Sequence, residues 1–330
     1  KSRLVRYQTQ DRGKLVDATA MVAWPVLVLP GARPFPMTLF LHPTLGYVDA
    51  CAPSRNIKDS LQPMTLLAEL SASFGYVAVL PDYLNMRSLG GPSTTVTPYV
   101  LMEPTAIASL DAVRAARAFL KDQGAQAEPT SDLYIWGHSQ GGQATEYTLA
   151  LSKFYAPEFT IRAAAALSPP TDLIGTAQVT FASSSPAVGL ALSEAVAYAW
   201  IDYYGGTTLS TALLSPFDQS AREGVYRYCD SSYTDPIRAV KDPHLALTQG
   251  FVDTLAGSGI EPWRCWLHYN NPATMTLPLP KNVPLFYATG EKDVTVPAAG
   301  NLPTVQRWCQ QGLQVQYRAC RGADHIAMAL

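Results

Sequence analysis

Ser139 sits in Gly137-His138-Ser139-Gln140-Gly141, a serine with glycine two residues before it and two after. A serine hydroxyl is a poor nucleophile until a base takes its proton. That base needs a carboxylate to hold its ring and stabilise its cation. The glycines are what a sharp turn between a strand and a helix demands, since such a turn crowds the backbone at both positions. The five-residue pattern alone is common. Its setting is informative: the apolar run Leu133-Tyr134-Ile135-Trp136 precedes it, and a helical pattern follows to about Leu151. A serine so placed would attack an acyl group.

The acid and base should follow in the order Ser, Asp, His. The apolar run Pro284 to Ala288 ends in Thr289-Gly290-Glu291-Lys292-Asp293. Asp293 is where a carboxylate can turn back from a strand end, and Glu291 is its rival, closer to the strand and more exposed. Of the five histidines, His42 ends an early strand, His138 lies inside the serine turn, and His244 and His268 fall in a region of another rhythm. His325 alone follows the last apolar run, which makes it the expected base. A neutral histidine base predicts a rate that rises through one ionisation near about pH 6.5. The developing oxyanion needs two N–H donors. Gln140, at the helix start, supplies one. The other should come from the loop after Leu41. Pro43 has no N–H, so Thr44, Leu45 or Gly46 must serve unless His42 reaches in, and position favours Thr44.

These residues must be carried by a scaffold. Short apolar runs at Ala18–Ala23, Val26–Leu29, Met37–Leu41, Val77–Leu80, Leu133–Trp136, Ile161–Leu167, Pro284–Ala288 and Leu313–Tyr317 alternate with helical patterns at Met64–Ser73 and Ala106–Lys121. Such alternation predicts a mostly parallel central sheet flanked by helices. Between Ser168 and Val283 the rhythm breaks. The serines Ser183-Ser184-Ser185, an apolar helix from Pro186 to Tyr204, and segments rich in Gly, Pro and Tyr replace it. This predicts a core of residues 1–170 and 282–330 and a helical cap insertion over 171–281. Tyr198, Trp200, Tyr203 and Tyr204 would be cap core or contacts for an acyl chain. Asp82 would line the site or brace a turn, Asp111 would be structural, and Asp324 would be a solvated turn residue.

The 330 residues are 48% hydrophobic and 15% charged, with net charge −2 and no basic run. Nucleic acid and anionic membrane surfaces are therefore poor partners, and no uncharged apolar stretch is long enough to span a bilayer. The first residues, Lys1-Ser2-Arg3, lack a Met, so the chain is read as trimmed of a signal peptide and destined for secretion or the periplasm. Five scattered cysteines show no zinc spacing, and neither metal nor cofactor is expected. One or two disulfides suit export. Cys309 with Cys320 is the first expected pair, across a helix-to-strand turn. Cys229 with Cys265 is the second, leaving Cys51 unpaired.

Several segments together are similar to the secretory-lipase family of α/β hydrolases. They are Cys51-Ala52-Pro53-Ser54, Gly75-Tyr76 through Pro81-Asp82-Tyr83, Asp111-Ala112-Val113-Arg114-Ala115-Ala116-Arg117, and Gly137-His138-Ser139-Gln140-Gly141-Gly142. The resemblance implies the α/β-hydrolase fold with a helical cap between strands six and seven. It also implies a lipase or carboxylesterase acting on small-molecule or lipid esters, with Ser139, Asp293 and His325 as triad. A serine peptidase or amidase on the same fold, or a catalytically silent binding protein, are the alternatives. The chain departs from the family at Asn85-Met86-Arg87, where a glycine-containing turn is usual. It departs again at Leu41-His42-Pro43-Thr44, where many relatives carry His-Gly.

Overall fold

A computed structural model describes residues 1–27, 34–59, 62–183, 186–224, 229 and 235–329. The strands are β1 (Ser2–Asp11), β2 (Lys14–Ala23), β3 (Phe35–Leu41), β4 (Val77–Pro81), β5 (Pro129–His138), β6 (Thr160–Leu167), β7 (Leu285–Gly290) and β8 (Val315–Cys320). They form one sheet in the order β1-β2-β4-β3-β5-β6-β7-β8. β1 and β2 run antiparallel; from β4 to β8 every pairing is parallel. The sheet is covered by α1 (Pro63–Ser73), α2 (Met102–Asp122), α3 (Gln140–Tyr155) and, far along the chain, α10 (Ala298–Gln310).

Side chains alternate across a strand, so each central strand feeds two cores. Met37, Leu39, Leu41, Val77 and Val79 pack with Leu110, Val113 and Ala116 of α2 and Ala144 of α3. Phe40, Ala78 and Leu80 point the other way, onto Ala68 and Ala72 of α1. α2 begins at Met102, a turn earlier than its apolar spacing predicts, and Pro104 in its first turn needs no N–H. β1 has no counterpart in the sequence reading. It is an edge strand in which only Val5, Tyr7 and Thr9 are buried among charged and polar neighbours. Its apolar run is too thin to stand out. The two-residue turn Arg12-Gly13, at φ 49° and 76°, joins it to β2. Val26 and Leu27 are exposed and not in a strand, while Val28 and Leu29 lie outside the described residues.

Between β6 and β7 run α4 (Leu173–Phe181), α5 (Ala187–Tyr204), α6 (Phe217–Gly224), α7 (Asp235–Arg238), α8 (Gln249–Leu255) and α9 (Trp263–Tyr269). Ser184 and Ser185 of the serine run lie outside the described residues. These helices gather around Trp200, Phe251 and Trp263 in a core that also takes in Tyr47, Val96, Tyr99 and Leu101. The two ends of this stretch meet. Ala273 N donates to Thr171 O at 2.9 Å, and Leu173 N donates to Asn271 Oδ1 at 3.0 Å. Among the described residues no helix is long and apolar enough to cross a membrane.

The cysteine expectations are overturned. Cys51 is bonded to Cys229, and Cys265, Cys309 and Cys320 are free thiols. Cys309 ends a helix that runs back to the start of β8, whereas Cys320 ends β8. About five residues at roughly 3.3 Å each keep them apart, which a disulfide cannot bridge. Cys265 is exposed on α9. The real bridge closes a sequence separation of 178 residues. Such a crosslink restrains the unfolded chain by roughly 5 kcal/mol. Cys51→Ser is therefore expected to lower the unfolding free energy by a few kcal/mol in urea titration. A change below about 1 kcal/mol would mean that the bridge does not hold in solution.

Glu194, in the middle of α5, is fully buried, and neither carboxyl oxygen has a hydrogen-bond partner among the described residues. Burial pushes its pKa from 4.5 to about 8. The folded state therefore binds more protons than the unfolded state between those two values, and stability falls as pH rises through that window. Glu194→Gln removes this ionisation. Its stability should match the wild type near pH 4.5 and exceed it by a few kcal/mol above pH 8. Denaturant midpoints at both pH values test this, and a gap that does not widen with pH would contradict it.

Candidate active site

Ser139 stands between the last residue of β5 and the first of α3, at φ 55° and ψ −121°. The local geometry explains its glycines. A Cβ on Gly141 would lie 1.9 Å from the Leu41 carbonyl oxygen, and one on Gly137 would lie 2.3 Å from the Gly141 oxygen. No side chain fits at either place, so the serine is held on a turn that only these neighbours permit.

Asp293 follows β7 and His325 follows β8. His325 Nε2 is 2.9 Å from Ser139 Oγ, and its Nδ1 is 2.7 Å from Asp293 Oδ2. With Nδ1 protonated, His325 donates to the carboxylate and its Nε2 accepts from the serine hydroxyl. The other carboxylate oxygen of Asp293 accepts the N–H groups of Thr295 (3.0 Å) and Val296 (2.8 Å). Burial alone would raise this carboxyl. The hydrogen bond and charge of His325, with the Val296 N–H, outweigh it and hold the pKa below its ordinary value. Glu291 is exposed at the turn and takes no part in this line. Asp324 is exposed and accepts the Ala327 N–H at 2.9 Å.

The other expected residues are dispersed. Gln140 lines a pocket beside Ser139. Thr44 turns its hydroxyl to that of Tyr99, 2.9 Å away. Gly46, at φ 114°, passes so close to the disulfide that a Cβ would meet Cys51 Sγ at 2.4 Å. His42 is buried, stacked on Tyr83 at 3.9 Å, with Nδ1 2.7 Å from the Pro43 carbonyl. His244 and His268 are exposed. Asp82 is a buried brace that accepts from Thr19 Oγ1 (2.6 Å), the Ser54 N–H (2.9 Å) and the Ser54 hydroxyl. Burial raises its pKa to about 6 despite these donors. Asp111 likewise ties Thr9, Tyr155 and Arg114.

His138 carries more than its place in the motif indicates. Its Nε2 is 2.9 Å from the His325 carbonyl oxygen, and the two rings lie 4.8 Å apart. Burial, reinforced by the charge of His325, lowers its pKa to about 4. It stays neutral near pH 7 and donates to the backbone that carries His325. Nothing in the linear pattern reveals this contact, because it joins positions 187 residues apart.

Ser139 and Gln140 open onto an apolar pocket walled by α4, α5, α8 and α9. Leu173, Phe181, Leu192, Val196, Trp200, Phe251 and Trp263 are among its lining residues. Of the four aromatics on α5, Trp200 lines this pocket. Tyr203 bonds Asp11, and Tyr204 stacks on Trp266.

Residues 58–198 match the family described as secretory lipase. No curated protein matches the chain. Among solved structures, the rice cell wall degrading esterase LipA from Xanthomonas oryzae aligns at TM-score 0.79 and 23% identity, over 99% of this chain and 84% of its own. A protein from Legionella pneumophila aligns at 0.78 and 24%, with the same two coverages. Candida antarctica lipase A aligns at 0.71 and 19%, over 98% of this chain and 73% of its own. At these identities the structures establish the α/β-hydrolase fold. On the family match and the fold together, the chain is a hydrolase of the lipase and esterase type, similar to the secretory lipases over residues 58–198.

Proposed function

We propose that this chain is a serine carboxylesterase or lipase that cleaves acyl esters through Ser139, His325 and Asp293. The observation that carries the reading is the unbroken line of hydrogen bonds from Asp293 through His325 to Ser139, ending at an apolar pocket. In the proposed cycle Ser139 Oγ attacks the ester carbonyl while His325 Nε2 takes its proton. Asp293 steadies the imidazolium. The N–H groups of Gln140 and Thr44 stabilise the oxyanion, the first of them at the N-terminus of α3, where the helix dipole favours negative charge. His325 then protonates the leaving alcohol. Water, activated by the same ring, frees the acid. Residues 171–281 act as a cap over the core of 1–170 and 282–330, and its helices form the acyl pocket. The Cys51–Cys229 bond suits an oxidising compartment, and we assign the protein to the secreted or periplasmic space.

Each buried methylene contributes about 0.8 kcal/mol, so a closed pocket rewards chain length only until it is full. Short to medium acyl esters are expected to be the best substrates, with little activation by an oil–water interface. Rates on p-nitrophenyl esters from acetate to palmitate, on matched anilides and on emulsified triglyceride test this. Palmitate as the best ester, or a sharp rise on emulsions, would refute the length preference. Faster anilide than ester cleavage would make the protein an amidase. No turnover and no fluorophosphonate label on Ser139 would leave a binding protein.

A further inference from the structure

Residues 96–101 form a strap with hydrogen bonds to the Thr44 loop and to α5. On the side of the Thr44 loop, Thr97 N donates to Tyr47 O at 2.8 Å, and the Tyr99 and Thr44 hydroxyls are 2.9 Å apart. The Tyr99 ring also meets the Tyr47 ring edge-on at 5.0 Å. On the side of α5, Trp200 Nε1 donates to Tyr99 O at 3.0 Å, and Val96 N donates to Asp202 Oδ2 at 2.8 Å. Tyr99 and Trp200 both line the apolar pocket with Ser139. Tyr99 is buried, and burial pushes its phenol up to about 12, so it is a neutral hydroxyl near pH 7. The next residue, Val100, also lines the pocket and holds φ 58°, a region a β-branched residue enters only when its surroundings force it. The strap is thus bonded on one side to the Thr44 loop and on the other to α5.

We infer that Tyr99 is a positioning residue that sets the Thr44 loop according to what fills the acyl pocket. The inference rests on the reading of Ser139 as nucleophile and Thr44 as oxyanion donor. A chain packed against Trp200 steadies the Tyr99 carbonyl, the Tyr99 hydroxyl steadies Thr44, and the Thr44 N–H is then fixed where the oxyanion forms. Binding energy from a remote part of the substrate so appears in kcat and not only in KM.

The test is steady-state kinetics of the whole chain on p-nitrophenyl acetate, butyrate and octanoate. Wild type, Tyr99→Phe, Thr44→Val and the double variant are compared, with thermal unfolding measured alongside. In the wild type kcat should rise with chain length. Tyr99→Phe should lower kcat on octanoate about ten-fold, part of the loss seen when an oxyanion donor is removed. It should leave KM within about two-fold and flatten the rise in kcat. The double variant should lose no more than the worse single variant, because both remove the Tyr99–Thr44 bond. A loss confined to KM, an equal loss on all three esters, or additive losses would overturn the inference. If Tyr99→Phe does not fold, Trp200→Phe, which keeps a ring but removes the donor to Tyr99 O, should flatten the same rise, and an unflattened rise would overturn it. A wild type that turns over none of the esters would instead overturn the functional reading beneath it.

Discussion

Ser139→Ala is expected to lower ester turnover by about 10⁴-fold or more while the protein stays folded. The change removes one oxygen from a turn whose shape is set by Gly137 and Gly141, and neither glycine contact involves that oxygen. His325 keeps its bond to Asp293, so the base remains poised with nothing to activate. The comparison is kcat/KM on a p-nitrophenyl ester for both proteins, with circular dichroism as the check on folding. Turnover within ten-fold of wild type in a folded Ser139→Ala protein would remove this serine from the reaction.

Asp293→Asn should be nearly as damaging, about 10⁴-fold in kcat. The carboxylate accepts three hydrogen bonds, from the His325 ring and from the N–H groups of Thr295 and Val296. An amide there can present its NH₂ to the ring, which favours the tautomer with Nδ1 unprotonated and spoils Nε2 as a base. Glu291→Gln is the matched control. Glu291 is exposed, and its variant should keep kcat within about two-fold. The reverse pattern, with Glu291→Gln the damaging change, would mean the acid is misassigned.

The parts of the molecule legible in the sequence are those fixed by local sterics or period. Gly137 and Gly141 announce a backbone approach that no other residue tolerates, and β3, β4 and β7 are apolar runs largely buried on both faces. β1 was hidden because an edge strand needs only alternate residues buried, and Val5, Tyr7 and Thr9 among charges read as surface. The cysteine pairing was hidden for another reason. Proximity along the chain favoured Cys309 with Cys320, but a helix returning along a strand carries its far end away from the strand's far end. The contact of His138 with the His325 backbone and the strap through Tyr99 also escaped sequence reasoning. Each joins distant segments through isolated hydrogen bonds, with no periodic signal.

The meeting of Thr171 with Ala273, and of Leu173 with Asn271, has a meaning for how such a molecule can diversify. β6 and β7 are neighbours in the sheet, so the stretch between them leaves and returns at nearly one place. A detour of that shape can lengthen, shorten or be exchanged without altering the register of any strand. Ser139, Asp293 and His325 all lie outside it, while Leu192, Val196, Trp200, Phe251 and Trp263, which face the pocket, lie inside. Heritable change in the pocket lining can thereby fall on residues other than Ser139, Asp293 and His325. A graft cut between Thr171 and Ala273 would carry the preference of its donor onto an unchanged sheet.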